Sequence, residues 1–219
     1  IDLRLRAHKL NVLNTFLLEQ YRFNERGVSP VGVRLGDVVI DGGGGWGDTA
    51  LYFADQVGEC GAVHVFEFSP LNLTVMRENL GKNPRLAPRI RIYEEALWNI
   101  SGDTLQFSEN GSATTLMRKE KGGSRALTRT IDDWASVEGR HVNFIKLDVE
   151  GAEAQVLDGA RGVIREHKPK LAVALYHSLG DFVELPKLID QLLPAYQLHL
   201  GHYTIHSEET ILFATTQQD

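Results

Sequence analysis

The chain has 219 residues, of which 42% are hydrophobic and 24% charged, the composition of an ordinary globular protein with enough apolar side chains for one substantial core. Its 29 acidic against 23 basic residues leave a net charge of -6, which argues against a broad nucleic-acid surface, and its lone Cys60 permits no internal disulfide. No apolar run approaches the roughly 20 residues of a membrane span and no signal-peptide pattern opens the chain, so a cytoplasmic protein is expected.

In chain order, Leu3 to Tyr21 carries Leu10, Leu13, Leu17 and Leu18 among polar residues, the spacing of an amphipathic helix expected to cover the domain. Val38, Val39 and Ile40 predict a buried strand that ends in Asp41 and runs into Gly42 to Gly45 and Gly47. Such a loop admits positive φ and lets a ligand come against bare backbone, and the helix beginning at Thr49 adds free amides with a partial positive field. Ala62 to Phe66 reads as a second strand, Leu71 to Leu80 as a helix entered through Ser69-Pro70, and Ile90 to Tyr93 as a third strand. From Leu97 to Ile131 the pattern breaks into short β-prone pieces, Thr104 to Phe107 and Ala126 to Thr130, read as hairpin-like excursions. Between them Glu109 to Leu116, with Lys119, Lys121 and Gly122-Gly123, reads as a mobile lid over a substrate, with Ser112 and Thr114 as its contacts. Val142 to Leu147 is a buried strand, followed by a helix whose apolar face is Val156, Leu157, Ala160, Val163 and Ile164. Leu171 to Tyr176 is the next strand, Leu185 to Leu193 a helix stopped by Pro194, and Tyr196 to Leu200 with Thr210 to Ala214 two closing strands around a polar turn.

Strands alternating with helices predict an α/β fold, a doubly wound and mostly parallel sheet with helices on both faces and ligands at the carboxyl ends of the strands. The glycine loop, Glu67, Asp148 and His177 each fall at or just after a strand end, on one rim.

Two cofactor chemistries compete for that rim. Gly42-x-Gly44-x-x-Gly47 matches the dinucleotide fingerprint, with Glu67 about 20 residues on to hold ribose hydroxyls, so a nicotinamide oxidoreductase is one reading. Asp41, immediately before it, would repel a pyrophosphate. In the register Asp41-x-Gly43-x-x-x-Gly47 the same carboxylate instead meets an ammonium and a sulfonium, the charges of S-adenosylmethionine. A third reading is a non-catalytic cofactor-binding protein.

The block NFIKLDVEGAEAQVLDGA, Asn143 to Ala160, groups Lys146, Asp148, Glu150 and Glu153 around a strand end. Together with VVIDGGGGWG, VFEFSP and TIDDW it resembles the FkbM family of S-adenosylmethionine-dependent methyltransferases, well over Gly36 to Ala160 and only in strand pattern beyond. The resemblance implies a seven-stranded doubly wound sheet of the Rossmann-like class I methyltransferase kind with an antiparallel last strand. The domain would span 31–219, behind a helical cap over 1–30. It implies O-methylation of sugars or other small hydroxyl-bearing metabolites. On matching positions Asp41, Gly43 and Gly47 would shape the methionine end of the cofactor, Glu67 would hold the ribose, Glu95 and Ala96 would border the adenine, and Asp148 would face the methyl-transfer zone. In the same loop Gly45 and Trp46 are further candidates to contact the cofactor, Trp46 flanking it or else buttressing the next helix. Gly45 stands where the family often has asparagine. Phe68 stands where a proline often follows the acid, and either stacks on adenine or packs in the core.

Methyl transfer needs the acceptor oxygen held in line and relieved of its proton, so Asp148 and His177 are the candidate bases, with a rim histidine bonded to backbone as the alternative for His177. Asp148, Glu150 and His177 offer metal-type ligands at an undiagnostic spacing, and His199, His202 and His206 read as solvated turn residues, so no metal is assigned.

Overall fold

The structure, a computed structural model, describes residues 2–26, 28–108, 115–117, 124–205 and 208–216. The chain begins with a short helix α1 (Lys9–Asn11) continued by a π-helical turn (Val12–Leu17), then β1 (Val38–Gly42), α2 (Asp48–Val57), β2 (Ala62–Phe66), α3 (Pro70–Lys82) and β3 (Ile90–Tyr93). There follow β4 (Ala96–Leu97), β5 (Thr104–Ser108), β6 (Thr115–Met117), β7 (Ser124–Arg129), α4 (Ile131–Glu138), β8 (Phe144–Leu147), α5 (Glu153–Asp158), α6 (Arg161–His167), β9 (Lys170–Ala174), α7 (Asp181–Leu192), β10 (Tyr196–His202) and β11 (Thr210–Thr216).

Seven strands form one sheet in the order β10-β11-β9-β8-β1-β2-β3, parallel from β9 to β3, with β11 antiparallel to β9 and β10 antiparallel to β11. Alternation of side chains across a strand sends Val39 and Phe144 into one core, with α2, α3 and the start of the chain, and Ile40 and Ile145 into the other, with α4 to α7. Both faces are therefore covered, which is why these strands read as continuous apolar runs. Strand order reverses at β1, whose neighbours are β2 on one side and β8 on the other. The crevice at the carboxyl ends of β1 and β8 is thus the place where this architecture admits a ligand.

Two expectations need correction, and the hairpin-like excursions expected between Leu97 and Ile131 are present. The amphipathic helix over Leu3 to Tyr21 is replaced by extended chain up to His8, because Asn83 and Asn79 of the α3 end hold the backbones of Arg4 and Arg6 through paired bonds of 2.7 to 3.1 Å. In the short helical piece that follows, the wide π turn faces polar residues inward: Asn14 is 4% exposed and Leu17 72%. The single helix after β8 is two, parted at Gly159, where a Cβ would lie 2.2 Å from the Trp98 carbonyl. The weak region between Leu97 and Ile131 supplies a separate sheet, β4-β7-β5-β6, with β5 antiparallel to β7. The lid expected over Glu109 to Leu116 with Lys119, Lys121 and Gly122-Gly123, including Ser112 and Thr114, falls outside the described residues apart from the strand β6. No helix among the described residues is long and apolar enough to cross a membrane.

Under β2 the buried His64 shares a 3.1 Å bond with the Tyr93 hydroxyl and meets Trp134 edge-on, and burial pushes it down to about 4. The unfolded chain therefore takes a proton below about 6.5 that the folded protein refuses. The stability owed to this histidine is full above pH 6.5 and is lost as pH falls toward 4, by about 3 kcal/mol in all. Urea denaturation of His64→Phe should show a flatter loss of stability across that window than the parent protein; an unchanged slope would assign the acid sensitivity elsewhere.

Candidate functional site

A cleft of about 240 Å³ opens at the crevice. Its walls include Gly43 to Trp46, Phe66 to Phe68, Glu95 and Leu97 from the sheet rim, with Tyr21, Asp148 to Glu150 and Glu209.

The floor is set by one buried ion pair. Asp41 and Lys146 are register partners on the adjacent strands β1 and β8, and Lys146 Nζ lies 3.1 Å from Asp41 Oδ1 with both side chains shut off from solvent. The same ammonium donates to the carbonyls of Gly42, at 3.0 Å, and Gly43, at 2.7 Å, and Thr49 Oγ1 donates to Asp41 Oδ2 at 2.7 Å. Burial alone would strip the lysine's proton, but the charges of Asp41, Asp148 and Asp48 hold it above its ordinary value. Asp41 is therefore not a ligand-facing group: its charge is consumed inside the protein, beneath the cleft.

Above that floor the glycine loop has a steric reason for its composition. A Cβ on Gly43, at φ +74, would sit 1.9 Å from the Asp148 carbonyl, so the two strand ends can approach only with glycine there. Gly45, at φ +50, borders open space and leaves its backbone to the cleft. Gly47 is the left-handed N-cap of α2, packed on Met76 and outside the cleft wall. Trp46 lines the cleft and donates its indole N–H to Asn72 Oδ1 at 3.1 Å.

Glu67 also lines the cleft, but its oxygens are occupied. Oε2 accepts from Gly45 N and Asn72 Nδ2 and Oε1 from Phe68 N and Ser69 N, at 2.7 to 3.2 Å, so this carboxylate ties the glycine loop to the end of β2. A ribose diol would take over the Oε2 side by displacing Gly45 or Asn72. Phe68 lines the cleft, and its ring packs edge-on against Phe107. Glu95 faces the cleft in a two-pronged pair with Arg129, at 3.0 and 3.2 Å, whereas Ala96 is buried in β4 and does not reach it.

Asp148 also lines the cleft. Tyr21 donates to Oδ2 and Tyr176 to Oδ1, each at 3.0 Å. Burial first, then the Asp148 charge, raises both phenols well above 10, so they stay protonated donors. Each oxygen of this carboxylate thus receives one phenol hydrogen bond.

His177 stands beside it, with Nε2 3.4 Å from Asp148 and 3.6 Å from Glu150, and Nδ1 3.0 Å from Glu153. Burial would push the imidazole down, but the contact with Glu153 and the charges of Asp148 and Glu150 push it up to about 9. At neutral pH it carries its proton, so the role of base expected for it does not fit. Asp148, Glu153 and His177 lie close enough to ligate one cation, yet this proton already balances the two carboxylates. Glu153, buried at the start of α5, accepts from Val149 N at 2.9 Å and holds the turn after β8. Of the distal histidines, His199 stacks on Phe23 and His202 bonds Thr210, while His206 lies outside the described residues.

Sequence reasoning missed Asn14, Thr15, Gln20, Tyr21 and Glu209. The inward-facing polar pair Asn14-Thr15 was their only signal, and it is masked by the leucines around it.

The model of the methyltransferase FkbM domain matches residues 29–201. A crystal structure of methyltransferase FkbM from Methylobacillus flagellatus is similar at 26% identity and TM-score 0.66, over 81% of this chain and 43% of that one, so the chain spans less than half the length of that relative. Fibrillarin from Aeropyrum pernix, solved with natively bound S-adenosylmethionine, shares the fold at 16% identity and TM-score 0.54, over 83% of this chain and 67% of that one. An S-adenosylmethionine-dependent O-methyltransferase from Thermotoga maritima shares it at 15% identity and TM-score 0.51, over 97% and 67%. No curated protein matches the sequence.

The floor pair yields a direct test. Lys146→Met leaves Asp41 charged and unpaired in the interior and should cost about 3 to 5 kcal/mol in urea denaturation, whereas adding Asp41→Asn should restore much of that loss. A single-variant cost below about 1 kcal/mol would mean the pair does not govern the floor.

Proposed function

The chain belongs to the FkbM family of S-adenosylmethionine-dependent methyltransferases, and from that premise we propose that it methylates a hydroxyl oxygen of a sugar or another small metabolite. The observation that carries this reading is the charge of the cleft. Asp48, Glu67, Glu95, Asp148, Glu150 and Glu209 line it, and the one basic residue among its described lining residues, Lys146, is committed to Asp41 and two carbonyls. A sulfonium is favoured there, and a diphosphate or a strongly anionic acceptor is repelled, which disfavours the nicotinamide alternative.

The residues fit the methyl donor on steric grounds too, since the bare backbone of Gly43 to Gly45 borders the cleft. When bound, S-adenosylmethionine supplies an electrophilic methyl group on a positively charged sulfur. In our assignment Glu67 and Glu95 border the adenosine, Trp46 and Phe68 flank it, and Gly43 and Gly45 make room for the methionine end. Asp41 and Gly47 act one layer below, holding the loop's shape.

Asp148, which accepts hydrogen bonds from Tyr21 and Tyr176, stabilises positive charge at the methyl-transfer zone and takes up the proton that the acceptor hydroxyl releases as its oxygen is methylated. Protonated His177 keeps the Asp148-Glu150-Glu153 cluster from repelling itself apart. Residues 1–30 act as a cap on the domain 31–219, since Asn11 to Tyr21 wall the part of the cleft that holds Asp148.

In calorimetry S-adenosylhomocysteine should release heat on binding and NADH should not. With a panel of neutral sugars and hydroxylated metabolites, Asp148→Asn should lower the release of S-adenosylhomocysteine about a hundredfold while changing its affinity little. Turnover confined to amine acceptors would replace the oxygen assignment, and heat from NADH alone would overturn the donor.

A further inference from the structure

The carboxylates that line the cleft are not equally available to a ligand. Asp48 accepts from Thr15 Oγ1 at 3.1 Å, Glu67 has four donors, Glu95 has its pair with Arg129, and Asp148 has the two phenols. Glu209 keeps one oxygen sealed from solvent. Glu150 differs from all of these. No hydrogen bond reaches its carboxylate among the described residues, its nearest cation is His177 Nε2 at 3.6 Å, and its side chain lines the cleft at 34% exposure.

The backbone presents Glu150 at a cost. Val149 to Ala152 is a β-turn, closed by the Ala152 N–H donating to the Val149 carbonyl at 3.3 Å, and both central residues are left-handed, Glu150 at φ +55 and Gly151 at φ +91. Such a turn favours glycine, asparagine or aspartate at its first central position. Glu153 fixes the turn by accepting from Val149 N, so the turn is held without any bond from the Glu150 side chain. Asparagine would fill the position with less strain, which makes the glutamate a feature of the cleft rather than of the fold.

What suits this carboxylate follows from its neighbour. Asp148 Oδ1 and Glu150 Oε2 lie 3.4 and 3.6 Å from the same imidazole nitrogen, His177 Nε2, so the two residues offer adjacent acceptors to one ligand. When an acceptor hydroxyl is seated at Asp148 for methylation, the substituent beside it comes within reach of Glu150. A hydroxyl there donates to the carboxylate, whereas an ether, a ketone or a second carboxylate brings only lone pairs and leaves Glu150 unmatched.

We propose that Glu150 orients the acceptor by accepting a hydrogen bond from the hydroxyl beside the one that is methylated, so that the acceptor is a vicinal diol. The inference rests on the function proposed above and narrows it, from hydroxyl compounds at large to those that carry two adjacent hydroxyls, such as sugar rings and cyclitols. The second hydroxyl then decides which oxygen is held in line with the methyl group.

Release of S-adenosylhomocysteine from S-adenosylmethionine tests this, measured with the methyl pyranosides of glucose, galactose and mannose and with myo-inositol, beside cyclohexanol and phenol. At least one of the vicinal diols should turn over, and neither single-hydroxyl compound should. Glu150→Asn, which suits the left-handed turn, should raise the KM for that diol about tenfold, with a melting temperature no lower than the parent's and an unchanged affinity for S-adenosylhomocysteine. Glu150→Gln, which keeps one carbonyl acceptor, should fall between the two. Turnover of none of the diols, turnover of the single-hydroxyl compounds at the diol rate, an unchanged KM in both variants, or a lower melting temperature with Glu150→Asn would overturn the assignment. Heat from S-adenosylhomocysteine in calorimetry, with diols methylated equally well by parent and variants, removes the role of Glu150 alone; absence of that heat removes the donor reading on which it rests.

Discussion

A lysine and an aspartate, sealed together beneath the ligand cleft, constrain everything above them. Taking two charges out of water costs several kcal/mol each, so such a pair persists only where every remaining donor and acceptor is met. Here β1 and β8 make this possible by pairing Asp41 with Lys146 in register, while Thr49 from α2 and the carbonyls of Gly42 and Gly43 complete the set. The ammonium thereby fixes the first two peptides of the glycine loop, and Gly43 lets that loop press against the Asp148 carbonyl. The loop's geometry and the place of Asp148 are two consequences of one buried contact.

The same pairing changes how the cleft's charge should be understood. An aspartate before a glycine loop argues for a cationic ligand only if it faces that ligand, and Asp41 does not. The preference for a cation survives because Asp41 cancels Lys146, the only positive charge among the described lining residues, while Arg129, paired with Glu95, and His177, beside Asp148 and Glu150, offset some of the six lining carboxylates without lining the cleft themselves. Asp148 lines the cleft itself, hydrogen-bonded by two phenols that burial prevents from ionising.

The central sheet was legible because burial on both faces leaves its mark directly in composition: Ala62 to Phe66, buried over four of its five residues, is a strand with those bounds. The rim position of the glycine loop, Glu67, Asp148 and His177 followed from strand ends alone. What stayed hidden depends on contacts distant in sequence. The protonation of His177 is set by Glu153, 24 positions earlier and brought alongside by the turn into α5. The occupied oxygens of Glu67 require the loop to fold back on β2, and the burial of Ala96 beside an accessible Glu95 requires β4 to pair with β7. The N-terminal helix was misread because leucine periodicity assumes 3.6 residues per turn, and a π turn rotates the wheel until the polar residues face inward.

That rotated turn bears on how the cleft wall is divided along the chain. The segment matched by the family model supplies the parallel strands of the sheet, the glycine loop, Glu67 and Asp148. Asn14, Gln20, Tyr21 and Glu209 come from before and after it, and they wall the side of the cleft around Asp148. Tyr21 joins the two sets, since its hydroxyl reaches Asp148 while its ring lies 5.4 Å from the Lys146 ammonium. The wall of the cleft is therefore assembled from the matched segment and from the stretches on either side of it, which meet at one carboxylate.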